Sequence, residues 1–159
     1  MHPEQLPPLD EVRFLYHVTK SKKLGPNASG IVGLARFKEV EFDCGHFDWV
    51  NNALFKYVLI EIRSCASSDS KLIVRGMTSA DYHAESAEPT LRQIDSAGLT
   101  HRVIGGGRIR YVPGTKSLTV YGYSMGYPWP NGEYKNELVA TMIKQSFPDL
   151  KVDWSDEGY

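Results

Sequence analysis

The sequence has little of three features that mark common classes of protein. Its 159 residues include 2 cysteines, too few for the disulfide framework of a small secreted domain. No apolar run approaches the roughly 18 residues of a membrane-spanning helix, and the first residues do not form the charged segment and apolar run of a secretory signal. We therefore expect a protein of a reducing compartment, the cytosol, with no membrane partner.

Neither sign of charge predominates. The chain has 18 Lys and Arg against 19 Asp and Glu, and a formal net charge of -1. Because a nucleic-acid backbone is bound through an excess of basic residues, this balance disfavours nucleic acid as a partner. Metal ligands occur together in "DCGH" (43–46), but no second cluster follows at the spacing of a zinc site. The sequence therefore predicts no metal and no cofactor.

What the chain does contain is typical of one globular α/β domain. It is 42% hydrophobic and 23% charged, and its length suits a single core. We interpret residues 1–53 as an N-terminal extension that adds an edge strand at most, with strand-like runs at 12–18 and 36–42. Residues 54–159 form the predicted domain.

Within residues 54–159, hydrophobic periodicity predicts alternating strands and helices. The predicted strands cover residues 55–63, 71–76, 101–112, 117–125 and 150–155, and the predicted helices cover about 86–97 and 131–147. Pro113 and Gly114 form a hairpin turn between the third and fourth of these strands. The fold class predicted is α/β, a single domain in which a mixed, central β-sheet is flanked by helices on both faces.

Pro89 decides where the first helix is predicted to begin. Proline lacks the N–H that a helix interior needs and clashes with the preceding turn, but it is accepted in the first turn. The predicted helix therefore starts near Ser86 and leaves His83 just before it.

His83 is the first candidate for chemistry. Alone near a helix start, a histidine is more often a solvated or capping residue than a catalytic one. As a functional residue it would be a general base, because an imidazole titrates near neutral pH. The free N–H groups that follow, beginning with that of Ala84, could face an anion at the helix N-terminus.

Two glycine-containing segments are the next candidates. Three glycines in "GGGR" (105–108) indicate a bulge or the close approach of another group, and Arg108 beside them is either an anion clamp or a surface arginine. In "YGYSMGYP" (121–128), the hydroxyl of Ser124 and the N–H groups of Met125 and Gly126 could form a concave set of donors. The alternative is an aromatic strand end that only covers the sheet.

Two cations stand at strand ends, Lys56 and Arg75. Each is most often a charge at the rim of a sheet. Taken with His83 and the two donor-rich segments, they describe an oxyanion site that contains no acidic metal cage. Composition and spacing lead no further than this.

Six segments resemble a known family. "FKYVLIEI", "IVRG", "DYHAE", "GGGRI", "VYGYSMGYP" and "VDWSDEGY" occur in the order and approximate spacing of the Janus/Ocnus family, over about residues 54–159. The resemblance implies a monomeric protein-histidine phosphatase. Such an enzyme removes phosphate from phosphohistidine-containing proteins without a metal or a covalent phosphoenzyme.

The resemblance also implies a role for each candidate residue. His83 would be the general base that activates water, and nearby cations would lower its pKa. The phosphate and substrate would be contacted by Lys56, Arg75, Ala84, Arg108, Ser124, Met125 and Gly126.

Two alternatives to catalysis follow from the same residues. A catalytically silent member of the family would bind a phosphorylated ligand without turnover. A nucleotide-binding protein is disfavoured, because no glycine-rich loop leads into a helix.

Overall fold

The computed structural model of the protein describes residues 33–158 and contains one six-stranded sheet. The strands are β1 (Val40–Phe42), β2 (Ala53–Arg63), β3 (Ser70–Met77), β4 (Thr100–Val112), β5 (Ser117–Tyr121) and β6 (Lys151–Ser155). Their order across the sheet is β1-β3-β2-β4-β5-β6. The strand predicted at 12–18 lies outside the described residues.

The sheet is mixed, as predicted. The four central strands pair antiparallel, whereas β1 is parallel to β3 at one edge and β6 is parallel to β5 at the other. The predicted hairpin joins β4 to β5, with Val112 opposite Ser117. A short 3₁₀ turn, Pro113–Thr115, connects them.

Helices cover both faces of the sheet, which confirms the predicted architecture. Helix α1 (His83–Ser96) lies on one face and helix α2 (Asn136–Ser146) on the other. Because successive side chains of a strand alternate between faces, β2 contributes to two cores. Val58, Ile60 and Ile62 pack in the core that includes α1. Phe55, Tyr57 and Leu59 pack in the core that includes α2.

The predicted start of the first helix is wrong. Helix α1 begins at His83, and Pro89 lies inside it. The Glu85 carboxylate accepts hydrogen bonds from the N–H groups of Asp81 (2.6 Å) and Tyr82 (3.1 Å), which holds the entry into the helix. Packing decides most helical stability in a protein. Here the buried stripe His83, Ser86, Ala87, Thr90 and Ile94 outweighs the hydrogen bond that proline removes.

Three other boundaries differ from the predictions. Strand β5 ends at Tyr121, since Gly122 has φ +80°, in the left-handed region that glycine adopts at little cost. Helix α2 begins at Asn136 rather than 131, after a 3₁₀ turn at Pro130–Gly132. The strand predicted at 36–42 is shortened to β1, and residues 33–35 are helical.

Residues 33–53 join the core. The buried side chains of this segment are Leu34, Phe37, Val40, Phe42 and Phe47. The Lys71 ammonium on β3 is itself buried and donates to the carbonyl oxygens of Leu34 and Phe37. Strand β1, the edge strand that the sequence allowed for, is therefore held by its pairing with β3 and by the contacts of the preceding segment with Lys71.

Within residues 33–158, no helix is long and apolar enough to cross a membrane.

Candidate active site

Four elements meet at one end of the sheet, on the face that α1 covers. They are the adjacent strands β2 and β4, the N-terminus of α1 and the loop that follows β5. They enclose a cleft of about 670 Å³. Its lining residues are Lys56, Asp81, Tyr82, His83, Ala84, Arg108, Tyr123, Ser124, Met125, Gly126 and Tyr127.

Strand register brings the two cations together. Lys56 on β2 lies opposite Arg108 on β4, and Arg108 lies opposite Tyr121 on β5. Lys56 precedes Val58, Ile60 and Ile62 on the same face of β2, and its carbonyl oxygen accepts a hydrogen bond from Ser86 in the first turns of α1. Both cations therefore line the cleft from its floor.

His83 is the first residue of α1 and is buried, with 8% of its surface exposed. It belongs to the stripe of α1 that faces the sheet, so its imidazole reaches β4, where Nε2 lies 2.8 Å from the carbonyl oxygen of Gly107. A carbonyl oxygen only accepts, so Nε2 carries the proton and donates. The neutral ring then keeps its lone pair on Nδ1, and no residue in the described range hydrogen-bonds to that nitrogen.

The environment of His83 favours the neutral ring. Burial is the largest cause that lowers its pKa, and the charges of Lys56 and Arg108 lower it further. The hydrogen bond to Gly107 acts in the opposite direction. The predicted lowering by nearby cations is thus present, but desolvation, which the sequence did not indicate, contributes more.

The glycine run of β4 makes room for the site, as its sequence indicated. A Cβ on Gly106 would lie 2.5 Å from the carbonyl oxygen of Tyr57, 2.9 Å from Cδ2 of His83 and 3.4 Å from Cβ of Ser124. The register of β2 against β4 also shifts between Leu59 and Ile60, which is the bulge expected of such a run. Only glycine lets the histidine and the loop approach the strand this closely.

The loop after β5 supplies hydrogen-bond donors. Ser124 is fully buried, and its Oγ accepts from the N–H of Tyr127 at 3.0 Å, which leaves the hydroxyl hydrogen free to donate. The N–H groups of Met125 and Gly126 have no hydrogen-bond acceptor among residues 33–158. The N–H of Ala84 belongs to the first turn of α1, where helical N–H groups are not used within the helix.

Arg75 is the one sequence-predicted site residue that the cleft does not include. Its side chain is buried and pairs with Glu41 of β1 at 3.6 Å, and it donates to the carbonyl oxygen of Val74 at 2.8 Å. On the sheet it lies opposite Val58, farther from the cleft than Lys56. Its guanidinium holds the edge strand rather than lining the cleft.

Sequence reasoning missed the walls of the cleft and the residues behind it. The walls include Asp81 and three tyrosines, Tyr82, Tyr123 and Tyr127. Behind the sheet, Asn136 is fully buried and accepts a hydrogen bond from the hydroxyl of Tyr57. Nothing in the local pattern of either residue marks it, because its importance comes from partners distant in sequence.

The described part of the chain holds no group of three or more His, Cys, Asp or Glu side chains that could bind a metal ion. Fold and cleft together define a class of protein: an α/β domain with a cleft in which a buried histidine faces cations and backbone N–H groups. The family model described as the Janus/Ocnus family matches residues 44–151. The chain belongs to the Janus/Ocnus family.

Individual relatives carry two kinds of name. The chain is 34% identical to the 14 kDa phosphohistidine phosphatase of Sus scrofa over 131 residues, which is 79% of this chain and 95% of the relative. It is 34% identical to the 14 kDa phosphohistidine phosphatase of Homo sapiens, over 81% of this chain and 98% of the relative. It is 36% identical to the sex-regulated protein janus-A of Drosophila pseudoobscura pseudoobscura, over 67% of this chain and 71% of the relative.

Proposed function

We propose that this protein is a protein-histidine phosphatase, which hydrolyses the P–N bond of phosphohistidine in other proteins. The observation that carries the proposal is the hydrogen bond from Nε2 of His83 to the carbonyl oxygen of Gly107, inside a cleft lined by cations and N–H donors. Similarity to phosphohistidine phosphatases over about four-fifths of the chain supports the same reaction.

His83 acts as the general base. Its hydrogen bond to Gly107 holds the tautomer in which Nδ1 accepts a proton, and its lowered pKa keeps the ring neutral at pH 7. A positioned base contributes about 10²–10⁴-fold to the rate of such a reaction.

The remaining groups neutralise the phosphoryl oxygens. Lys56 and Arg108 supply positive charge from the floor of the cleft, and Ser124 supplies a hydroxyl donor from the loop. The backbone N–H donors are those of Ala84, Met125 and Gly126. Arg75 contributes its charge at longer range, because its own contacts are with Glu41 and Val74.

The reaction then uses water and the residues named above. Water attacks phosphorus as His83 Nδ1 removes a proton from it, and the P–N bond breaks in line with the attacking oxygen. The electron pair of that bond goes to the leaving imidazole, which takes up the proton that His83 removed from water, or a proton from solvent while His83 releases its own proton to solvent. The products are inorganic phosphate and histidine, and the base returns to its neutral form.

One specific observation favours a second function, a phospho-ligand-binding module without turnover. The janus-A relatives are named sex-regulated proteins, and that name states no reaction. Such a module would bind a phosphorylated protein in the same cleft, in competition with inorganic phosphate, and release none.

The test is phosphate release from a phosphohistidine peptide by the full chain and by two single variants. His83→Ala should lower kcat by about 10²–10⁴-fold, as loss of a general base does. His101→Ala is the matched control, because His101 lies near the opposite end of β4 and pairs with Asp95 at 3.1 Å, outside the cleft. EDTA should leave the rate of each protein unchanged.

Wild-type release by His83→Ala would show that His83 is not the base. Phosphate-competed binding of the peptide by the full chain, with no release, would show that the protein is a binding module. Loss of activity in EDTA would overturn the metal-independent reaction.

A further inference from the structure

A buried polar side chain lies directly behind the cleft, on the opposite face of the sheet. Asn136, the first residue of α2, is 0% exposed. Its Nδ2 donates to the carbonyl oxygens of Gly122 at 3.0 Å and Ser155 at 3.2 Å, and to Oδ1 of Asp156 at 3.2 Å. Its Oδ1 accepts from the hydroxyl of Tyr57. A buried amide is stable when all its groups are paired, and here donors and acceptor are all used.

The donor side of Asn136 fixes the loop that lines the cleft. Gly122 is the hinge where the chain leaves β5 with φ +80°. Its carbonyl oxygen accepts from Asn136 and also from Nε1 of Trp129, at 3.1 Å. The hydrogen bond from Trp129 therefore joins the two ends of the segment 122–129, and the hydrogen bond from Asn136 attaches them to α2. Ser124, Met125 and Gly126 lie between those ends.

The acceptor side of Asn136 abuts the peptide that orients His83. A Cβ on Gly107 would lie 3.0 Å from Cε1 of Tyr57 and 3.2 Å from Oδ1 of Asn136. The carbonyl oxygen of the same Gly107 accepts the hydrogen bond from His83. The pair Tyr57–Asn136 thus fills the space behind the strand on which the histidine rests.

Tyr57 is a donor throughout the neutral pH range. It is fully buried, and burial together with the charge of Asp156 raises its pKa well above the ordinary value of a tyrosine. The hydroxyl keeps its proton, so its hydrogen bond to Asn136 has a fixed direction.

We infer that Tyr57 and Asn136 are positioning residues, which set the placement of the His83 imidazole relative to the N–H groups of Met125 and Gly126. They are not among the residues that line the cleft, and they act through Gly107 on one side and Gly122 on the other. The inference rests on the proposed function of the cleft. Misplacement of reacting groups by about 1 Å can cost about 100-fold in rate, which is why a residue behind the sheet matters.

The experiment compares Tyr57→Phe with Tyr111→Phe. Both variants delete one buried tyrosine hydroxyl on the same face of the sheet. The hydroxyl of Tyr111 donates to the carbonyl oxygen of Trp49 at 2.6 Å, four residues beyond Gly107 along β4 and outside the cleft. Tyr57→Phe keeps the ring that packs on Gly107, so the protein should still fold. Inorganic phosphate is the probe, followed by the ¹H–¹⁵N amide resonances of Met125 and Gly126.

In Tyr57→Phe we expect those two amide resonances to shift or broaden before phosphate is added. Phosphate affinity and kcat for the phosphohistidine peptide should each fall, kcat by about 10- to 100-fold. In Tyr111→Phe the free energy of unfolding should fall, while amide resonances, phosphate affinity and kcat stay at wild-type values. A purely structural role for Tyr57 predicts the second pattern for both variants and would overturn the inference.

Asn136→Asp separates the two sides. It keeps an acceptor for Tyr57 but loses the N–H groups that hold Gly122, so the loop amides should move more than the ¹⁵N resonances of the His83 ring. Equal displacement of both sides, or of neither in the folded variant, contradicts the proposed division. If Asn136→Asp does not fold, Tyr57→Phe alone decides. If wild-type protein binds phosphate but hydrolyses no phosphohistidine, the proposed function fails, and the amide resonances and phosphate affinity still test the positioning role.

Discussion

Three features of the fold determine the protonation and the tautomer of the His83 ring: its burial, the two neighbouring cations and the carbonyl oxygen of Gly107. Burial and two neighbouring cations destabilise its charged form, and the Gly107 carbonyl selects the tautomer. An exposed histidine at a helix start would have none of these. The protonation state of this ring is therefore set by its place in the fold and not by its residue type alone.

The pH dependence of activity follows from the direction of that pKa shift. A general base is active when it is deprotonated, and the pKa of His83 lies below the ordinary value of 6.5. The rate should therefore hold as pH falls past 6.5 and decline only at lower pH, where the ring becomes protonated. The measurement is kcat/KM for a phosphohistidine peptide from about pH 4.5 to about pH 8. Each rate is corrected for the uncatalysed hydrolysis of the peptide at the same pH.

The same profile in a variant identifies the cause. Lys56→Met removes one cation that lowers the pKa, so the acidic limb should move to higher pH although the rate itself falls. A limb centred above 6.5 in the wild-type chain would contradict a neutral, desolvated base. So would a limb that does not move in the variant.

At the scale of elements, α1 packs closely against β4 because β4 has a glycine, Gly106, where the two elements meet. Gly106→Ala would place a Cβ 2.5 Å from the backbone oxygen of Tyr57, which cannot turn aside. We expect a loss of about 1–3 kcal/mol in the free energy of unfolding, as overpacking of a core typically costs, and a large loss of phosphate affinity. Urea denaturation and phosphate titration measure the two.

Gly114→Ala is the matched control, because a Cβ there meets nothing within 4 Å. It should leave stability and affinity close to wild type. Equal effects of the two substitutions would mean that glycine acts by chain flexibility and not by close approach.

The elements also show where local patterns succeed and where they do not. Periodicity located β2, β3 and β4 to within two residues at each end, because continuous apolar runs suit buried strands. It misplaced the start of α1, because the preference of proline for the first turn of a helix takes no account of contacts outside the helix. The buried stripe that begins at His83 and the Glu85 carboxylate oppose that rule, and their partners lie on β2 and β4 or in the preceding loop.

At the scale of the whole molecule, residues 33–52, which precede β2, belong to the same core as the rest of the described chain. The ring of Phe42 on the edge strand is 2% exposed and lies 5.1 Å from that of Phe55 and 5.4 Å from that of Phe47, between ring centroids. Phe42→Ala should lower the free energy of unfolding by about 3–5 kcal/mol. The transition should remain single whether it is followed by fluorescence or by circular dichroism.

Val50→Ala provides the comparison, because Val50 is 79% exposed and should change stability little. A change below about 1 kcal/mol for Phe42→Ala is smaller than deletion of a packed ring normally costs. That result, or a separate early transition, would mean that the edge strand unfolds independently of the sheet.

The sequence by itself determined the mixed α/β class, most of the strands and the list of candidate site residues. These depend on local periodicity and on residue chemistry, both of which are written along the chain. Only the tertiary structure decided which groups share a cleft: it joined Lys56, His83, Arg108 and the loop amides, and it turned Arg75 to Glu41. It also placed Tyr57 and Asn136 behind them. The reason is that strand order, strand register and helix packing are set by contacts between residues far apart in sequence, and no local pattern contains those distances.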